Sequence, residues 1–192
     1  MRAFRPENLT ERCKRRMKNI NYCYKCGEKL VEKIGDEGLE RKFCENCEEF
    51  RYRNAVPVSG VFVVKEDEVL LILRGGEPNK GTWSYPAGYL EFDERPEIGG
   101  ARELEEETGL KARPEKLDLV ASIQLEHPDK YVVGNAYAVS FEDVEGEVRP
   151  GDDAEKACFW NQEEMEYQVE EMESPKIVEA AEKAMEIIHR TQ

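Results

Sequence analysis

Residues 88–110 read GYLEFDERPEIGGARELEEETGL, and the fold turns on how this stretch is read. Pro96 suits the first turn of a helix, where its missing N–H costs nothing, and Gly109 suits a helix stop, so the stretch predicts a helix over residues 95–108. Ile98, Ala101 and Leu104 recur at helical spacing and are expected to face a core. Gly99 and Gly100 each cost about 1 kcal/mol relative to Ala in a helix interior, so either packing is close there or the helix starts late. On the helix, Glu103, Glu106 and Glu107 stand at i, i+3 and i+4, which sets three carboxylates along one face within a turn. Like charges that close repel one another; a hard divalent cation, Mg²⁺ or Mn²⁺, removes the clash by taking their oxygens as ligands. Arg102 and Glu106, four apart, can pair and fix a ligand's orientation. In a chain with 34 Glu, these glutamates taken alone read as an ordinary charged helix face.

Outward from this helix the pattern is strand-rich. Residues 56–64 form a β-branched run and residues 69–74 a second apolar run, with a polar turn between them, so a hairpin is expected. Residues 75–81 are a loop rich in Gly and Pro. Residues 117–125 and 131–140 read as strands joined through His127, Pro128 and Asp129, and residues 157–160 as another. Ser174 and Pro175 open an amphipathic helix as N-cap and first residue, with Ile177, Val178, Ala181, Met185 and Ile188 inward. Residues 162–173 are Glu-biased and read as a solvated helix. Several strands flanked by two helices imply an α/β class with a mixed sheet in a layered fold.

Six cysteines stand in a chain without an export signal, which favours metal ligands or buried thiols in a reducing cytoplasm. Four of them form Cys23-x2-Cys26, seventeen residues, then Cys44-x2-Cys47. Two such pairs can bring four thiolates to one tetrahedral Zn²⁺, with a hairpin between them and Gly27 easing the first knuckle. A fully thiolate set leaves no open position, so the zinc is structural. A redox pair is the competing reading. Residues 21–47 are too few to bury a core alone, and the metal would stabilise them directly. Cys13 and Cys158 lack partners at such spacing and read as ordinary thiols. Glu28, Glu32, Glu45, Glu48 and Glu49 offset the local bases, which favours an architectural or dimerising ribbon over one that binds nucleic acid. Residues 48–55 read as a charged connector. The domains expected are a basic arm at 1–20, a zinc ribbon at 21–50 and a main domain at 51–192.

Composition excludes several functions. With 40% apolar and 36% charged residues, the 192-residue chain can bury one ordinary core, and no apolar run is long enough to span a bilayer. The net charge of −14 repels phosphate backbones, so nucleic acid is disfavoured as a partner. The charge is segregated: residues 1–20 carry seven bases and two acids, and residues 140–192 sixteen acids and five bases. The basic arm reads as solvated or as a subunit contact, the latter compatible with a homodimer.

The whole string decides between a charged surface helix and a metal site. G-x5-E-x7-R-E-U-x-E-E-x-G-U, with U a bulky aliphatic residue, is the Nudix box, and residues 88–110 match every fixed position. The chain therefore resembles Nudix hydrolases over about residues 56–165. With the ribbon ahead of the box, it resembles zinc-ribbon Nudix pyrophosphatases acting on ADP-ribose, FAD or NADH. The resemblance implies a Nudix α/β/α sandwich with mixed sheet, preceded by a small zinc-ribbon domain, and hydrolysis of a nucleoside diphosphate linked to another moiety. It implies that Glu103 and Glu107 are the principal ligands of Mg²⁺ or Mn²⁺, with Glu106 and the Ala87 carbonyl contributing, and that Glu94 and Arg102 organise the loop and helix. Such ions neutralise phosphate charge and acidify bound water, which lets an anionic chain take an anionic substrate.

The resemblance also implies a loop carboxylate as general base; Asp153 or Glu155 is the candidate, with solvated turn acids the competing reading. Trp83, Tyr85 and Tyr89 are candidates to stack on a nucleobase, although aromatic residues near a strand are more often core. Relatives acting on NADH carry an SQPWPFP-like segment after the box. Only Ser122 and Gln124 are similar here, out of register, which favours ADP-ribose or FAD over NADH or NAD-capped RNA. His127 reads as exposed and passive. A non-enzymatic nucleotide sensor is the alternative from another class, and the complete box argues against it.

Overall fold

The computed structural model describes residues 20–52, 54–77, 79–125 and 130–191. The basic arm up to residue 19, with Cys13, and the residues His127, Pro128 and Asp129 lie outside the described residues. The chain divides into two compact units, Met1–Asn54 and Ala55–Gln192.

In the first unit β1 (Val31–Ile34), β2 (Glu40–Cys44) and β3 (Glu49–Arg51) form an antiparallel sheet in that order. β1 and β2 are the hairpin expected between the cysteine pairs. β3 corrects the reading of residues 48–55 as a connector: Phe50 and Arg51 pair in register with Phe43 and Lys42. The Phe43 and Phe50 rings meet edge to face at 5.0 Å, and Arg51 is turned inward beside Cys23. Among the described residues of this unit the buried apolar cluster is Cys23, Leu30 and Cys44, a core too small to hold a fold unaided.

The second unit is built on a sheet whose central strand is β4 (Val56–Lys65), followed by β5 (Glu68–Arg74) after a tight turn with Glu66 at φ 53°. Strands β6 (Trp83–Ser84) and β7 (Ala87–Tyr89) precede helix α1 (Pro96–Thr108). After it come β8 (Lys111–Ala112), β9 (Asp118–Leu125), β10 (Val132–Ser140), β11 (Val144–Glu145) and β12 (Ala154–Asn161). Helices α2 (Gln162–Tyr167) and α3 (Lys176–Thr191) end the chain. The order across the sheet is β12-β5-β4-β10-β9; β4 and β10 run parallel and the other pairs antiparallel, so the sheet is mixed as expected.

Alternation along β4 assigns the two faces. Phe62 and Val64 join one core with Ile177, Ala181 and Met185 of α3, and Val61 and Val63 join the other with Leu104 of α1. Helices on both faces of a mixed sheet make the α/β/α sandwich. Four of the five expected inward residues of α3 are buried, and Val178 is partly buried against the same core. Ile98 departs from expectation: it is exposed, while Ala101 and Leu104 are buried. The glycines do not delay the helix. A Cβ on Gly99 would strike Leu90, and one on Gly100 would crowd Ser59, so close packing is their reason. The expected solvated helix at 162–173 is instead a short helix and a 3₁₀ turn that bury Met165 and Met172.

Candidate active site

Local backbone pairing opens the site. β4 and β5 pair only beside their turn, at Val64–Val69 and Lys65–Glu68. Farther along they diverge; β6 pairs with β5, and β7 pairs with β4 at residues 58–60. The inserted segment 83–89 thus lies between the two strands, with Val61 N–H bonded to the Pro86 carbonyl. This places Ala87 and Gly88 over α1. A cleft of about 330 Å³ follows, with Tyr85, Gly88, Glu103, Glu107, Asp153 and Glu173 among its lining residues.

Glu107 is only 2% exposed, and its Oε2 accepts the Ala87 N–H at 2.8 Å. Burial pushes its carboxyl up to about 9, and the neighbouring Asp153 and Glu103 add to the rise. Glu103 is raised for the same first reason, burial, with repulsion from Glu106 and Asp152 adding to it against the pull of Arg102. Arg102 spends all five N–H groups. Nε and Nη2 grip both oxygens of Glu94 at 2.9 and 3.0 Å, Nη1 reaches Glu103 at 2.7 Å and Glu106 at 2.8 Å, and Nη2 also reaches the Tyr89 carbonyl at 3.0 Å. The guanidinium holds Glu94 below the usual carboxylate range and is itself raised by these acids. Arg102 therefore joins loop to helix, and Glu106, half exposed and tied to it, is not among the residues lining the cleft.

The loop before β12 is fastened to the end of α1. Arg149 N–H bonds to the Thr108 carbonyl and Gly151 N–H to the Glu107 carbonyl, which satisfies groups that the end of a helix leaves free. Asp152 sits at φ 45°, and Asp152 and Asp153 enter the cleft beside Glu107. Glu155 lies elsewhere, paired with Lys80 at 3.3 Å and outside the cleft lining.

The three aromatic candidates separate. Trp83 belongs to the core, edge-on to Trp160 at 4.9 Å, and is not among the lining residues. Tyr85 is buried, stacked on Phe62 at 4.4 Å, and shows one edge to the cleft. Tyr89 is 47% exposed at the mouth, with Lys130 Nζ 4.7 Å above its ring. Glu173 was missed from sequence. Its N–H bonds to the Trp83 carbonyl, and its carboxylate accepts Asn79 Nδ2 and Ser84 Oγ at 2.7 Å each.

In the first unit the four thiols converge. All four sulfurs lie within 4.8 Å of one another, with Cys26–Cys44 at 3.5 Å and Cys23–Cys47 at 3.9 Å. Tetrahedral Zn–S bonds of about 2.3 Å set neighbouring sulfurs about 3.8 Å apart, so the set fits that ion. Burial alone would raise the Cys23 thiol, but the Arg51 Nε–H bond at 3.1 Å and the backbone N–H groups of Lys25 and Cys26 outweigh it and hold it at about 6. Cys158 is exposed on β12. Among the described residues no second group of metal-ligating atoms is drawn together so tightly.

A family model described as the NUDIX domain matches residues 54–183. The chain belongs to the Nudix family. Similar proteins include the ADP-ribose pyrophosphatase of Methanocaldococcus jannaschii, 36% identical over 107 residues, which are 56% of this chain and 62% of that protein. The phosphatase NudJ of Escherichia coli K12 is 31% identical over 119 residues, 62% of this chain and 76% of NudJ. A crystal structure of a Nudix hydrolase from Nitrosomonas europaea superposes with a TM-score of 0.68 at 24% identity, covering 90% of this chain and 94% of that one, which shows the shared fold. The match thus spans about three fifths of the Methanocaldococcus relative's length. No helix among the described residues is long and apolar enough to cross a membrane.

Proposed function

We propose that the chain is a Mg²⁺- or Mn²⁺-dependent Nudix pyrophosphatase that hydrolyses a nucleoside diphosphate linked to another moiety, ADP-ribose foremost and FAD next. The observation that carries this reading is the burial of Glu107 beside Glu103 and Asp153 in one cleft, a concentration of anionic ligands that a divalent cation stabilises. Glu103 and Glu107 would hold the ion, with the Ala87 carbonyl and Glu106 contributing; the bound ion supplies charge neutralisation and a more acidic water. Asp153, at the cleft, takes the proton from the attacking water on a carboxylate oxygen. The water oxygen bonds to one phosphorus, the bridging P–O bond breaks, and a nucleoside monophosphate and a phosphorylated moiety leave. Glu94 and Arg102 hold the loop on the helix throughout.

The name of the Methanocaldococcus jannaschii relative supports ADP-ribose as the first substrate to test. For the first unit we propose a structural zinc on Cys23, Cys26, Cys44 and Cys47, within a chain organised as arm 1–20, ribbon 21–50 and Nudix domain 51–192. A panel of ADP-ribose, FAD, NADH, CoA and dinucleoside polyphosphates, with products identified, tests the activity; equal trace release from all would contradict it.

A further inference from the structure

The cleft holds a second polar cluster that the hydrolytic chemistry leaves unused. Glu173 is oriented by Asn79 and Ser84, and its Oε1 stands 3.9 Å from Arg74 Nε, beyond hydrogen-bond reach. Arg74 Nε is buried with no hydrogen-bond partner, and so is the hydroxyl of Tyr85, whose ring is stacked on Phe62. Both residues line the cleft, and Arg74 is the one cation among the described residues that do. Two buried donors without acceptors are unfavourable and call for a partner from outside the chain.

The chemistry of that partner follows from what stands around the donors. A second phosphate is disfavoured, because the Glu173 carboxylate already faces Arg74. A neutral edge that carries an acceptor beside a donor fits all three groups, and an amino-substituted nucleobase of the adenine type presents such an edge. Resting on the pyrophosphatase reading, we propose that Arg74, Tyr85 and Glu173 form the socket that selects the nucleobase of the substrate. Arg74 and Tyr85 donate to a ring acceptor, and Glu173 accepts from the adjacent amino group. Arg74 and Glu173 keep side-chain exposures of 18% and 24%, so the socket opens onto the cleft. Asn79 and Ser84 act as positioning residues for Glu173. A site built to hydrogen-bond an amino group rejects the analogue that lacks it, because its own polar groups are then left unpaired.

The test is binding by calorimetry to the full chain with Mg²⁺ present, using AMP, purine riboside 5′-monophosphate and ribose 5-phosphate. Purine riboside 5′-monophosphate keeps the ring acceptor but lacks the amino group, and ribose 5-phosphate lacks the base. Wild type is expected to bind AMP at least tenfold more tightly than either. Tyr85→Phe is expected to melt at or above the wild-type temperature, since it removes an unpartnered buried hydroxyl, yet to weaken AMP at least fivefold and leave ribose 5-phosphate unchanged. Glu173→Gln is expected to erase the preference for AMP over purine riboside 5′-monophosphate. Equal affinity of the wild type for AMP and purine riboside 5′-monophosphate, or wild-type AMP affinity in Tyr85→Phe, would overturn the socket. Binding is read without turnover, so selective AMP binding by a chain that hydrolyses no pyrophosphate would overturn the hydrolytic reading and leave the socket standing.

Discussion

Gly88 lies directly against the carboxylate of Glu103, and a Cβ at position 88 would overlap that carboxylate. The first fixed glycine of the box is therefore a matter of space, since a side chain there would drive a candidate ligand out of the cleft. Gly88→Ala is expected to lower kcat by 10²-fold or more, because a misplacement of about 1 Å is enough for such a loss. Unfolding temperature and kcat measured on the same variant separate displacement of Glu103 from loss of the fold.

Asp153 and Glu155 stand two residues apart, yet only Asp153 lines the cleft, while Glu155 pairs with Lys80. Asp153→Asn is expected to reduce kcat by roughly 10²–10⁴-fold, the usual worth of a general base. Glu155→Gln should stay within about threefold of wild type, because an exposed ion pair contributes little. The reverse ranking in steady-state assays would move the base to Glu155.

Burial holds the Glu107 carboxyl up at about 9 in the folded, metal-free chain, against 4.5 for the free side chain. Between these values the folded state carries a proton that the unfolded state has lost, so metal-free stability falls as pH rises through that window. Mg²⁺ favours the ionised carboxylate, and its stabilising effect should grow with pH over the same range. Melting curves from pH 5 to 9, with EDTA and with Mg²⁺, check both slopes, and Glu107→Gln should flatten the metal-free one.

The four sulfurs of the first unit are spaced for one tetrahedral ion, and little else is buried with them. Cys44→Ala is expected to lose the zinc and to unfold residues 21–47. Metal analysis of the purified protein and amide exchange over those residues provide the readout. A wild type that is free of zinc yet protected there would contradict it.

What was legible in the sequence was what local spacing can carry. The helix with its Pro96 start and Gly109 stop, the glutamates on one face and the paired cysteines each depend on residues within a few turns or one hairpin. Glu173 gave no such signal, because it meets Ser84 and Asn79 across 89 and 94 residues, in a segment whose composition suggests only a solvated surface. The partition of Trp83, Tyr85 and Tyr89 among core, cleft wall and mouth was equally hidden. It depends on how the segment 83–89 is inserted between β4 and β5, which is a property of the sheet. Arg51 was overlooked because a lone arginine in a charged stretch looks solvated; it is the thiol of Cys23 that draws it inward.

Whether Glu107 serves a divalent cation in pyrophosphate hydrolysis is decided by turnover of ADP-ribose by wild type and Glu107→Gln across a Mg²⁺ titration, with products identified. Wild type is expected to release AMP and ribose 5-phosphate in a Mg²⁺-dependent reaction, and Glu107→Gln to lose that activity while still melting cooperatively. Undiminished turnover in Glu107→Gln, or hydrolysis by wild type that ignores Mg²⁺ and Mn²⁺ alike, would contradict it.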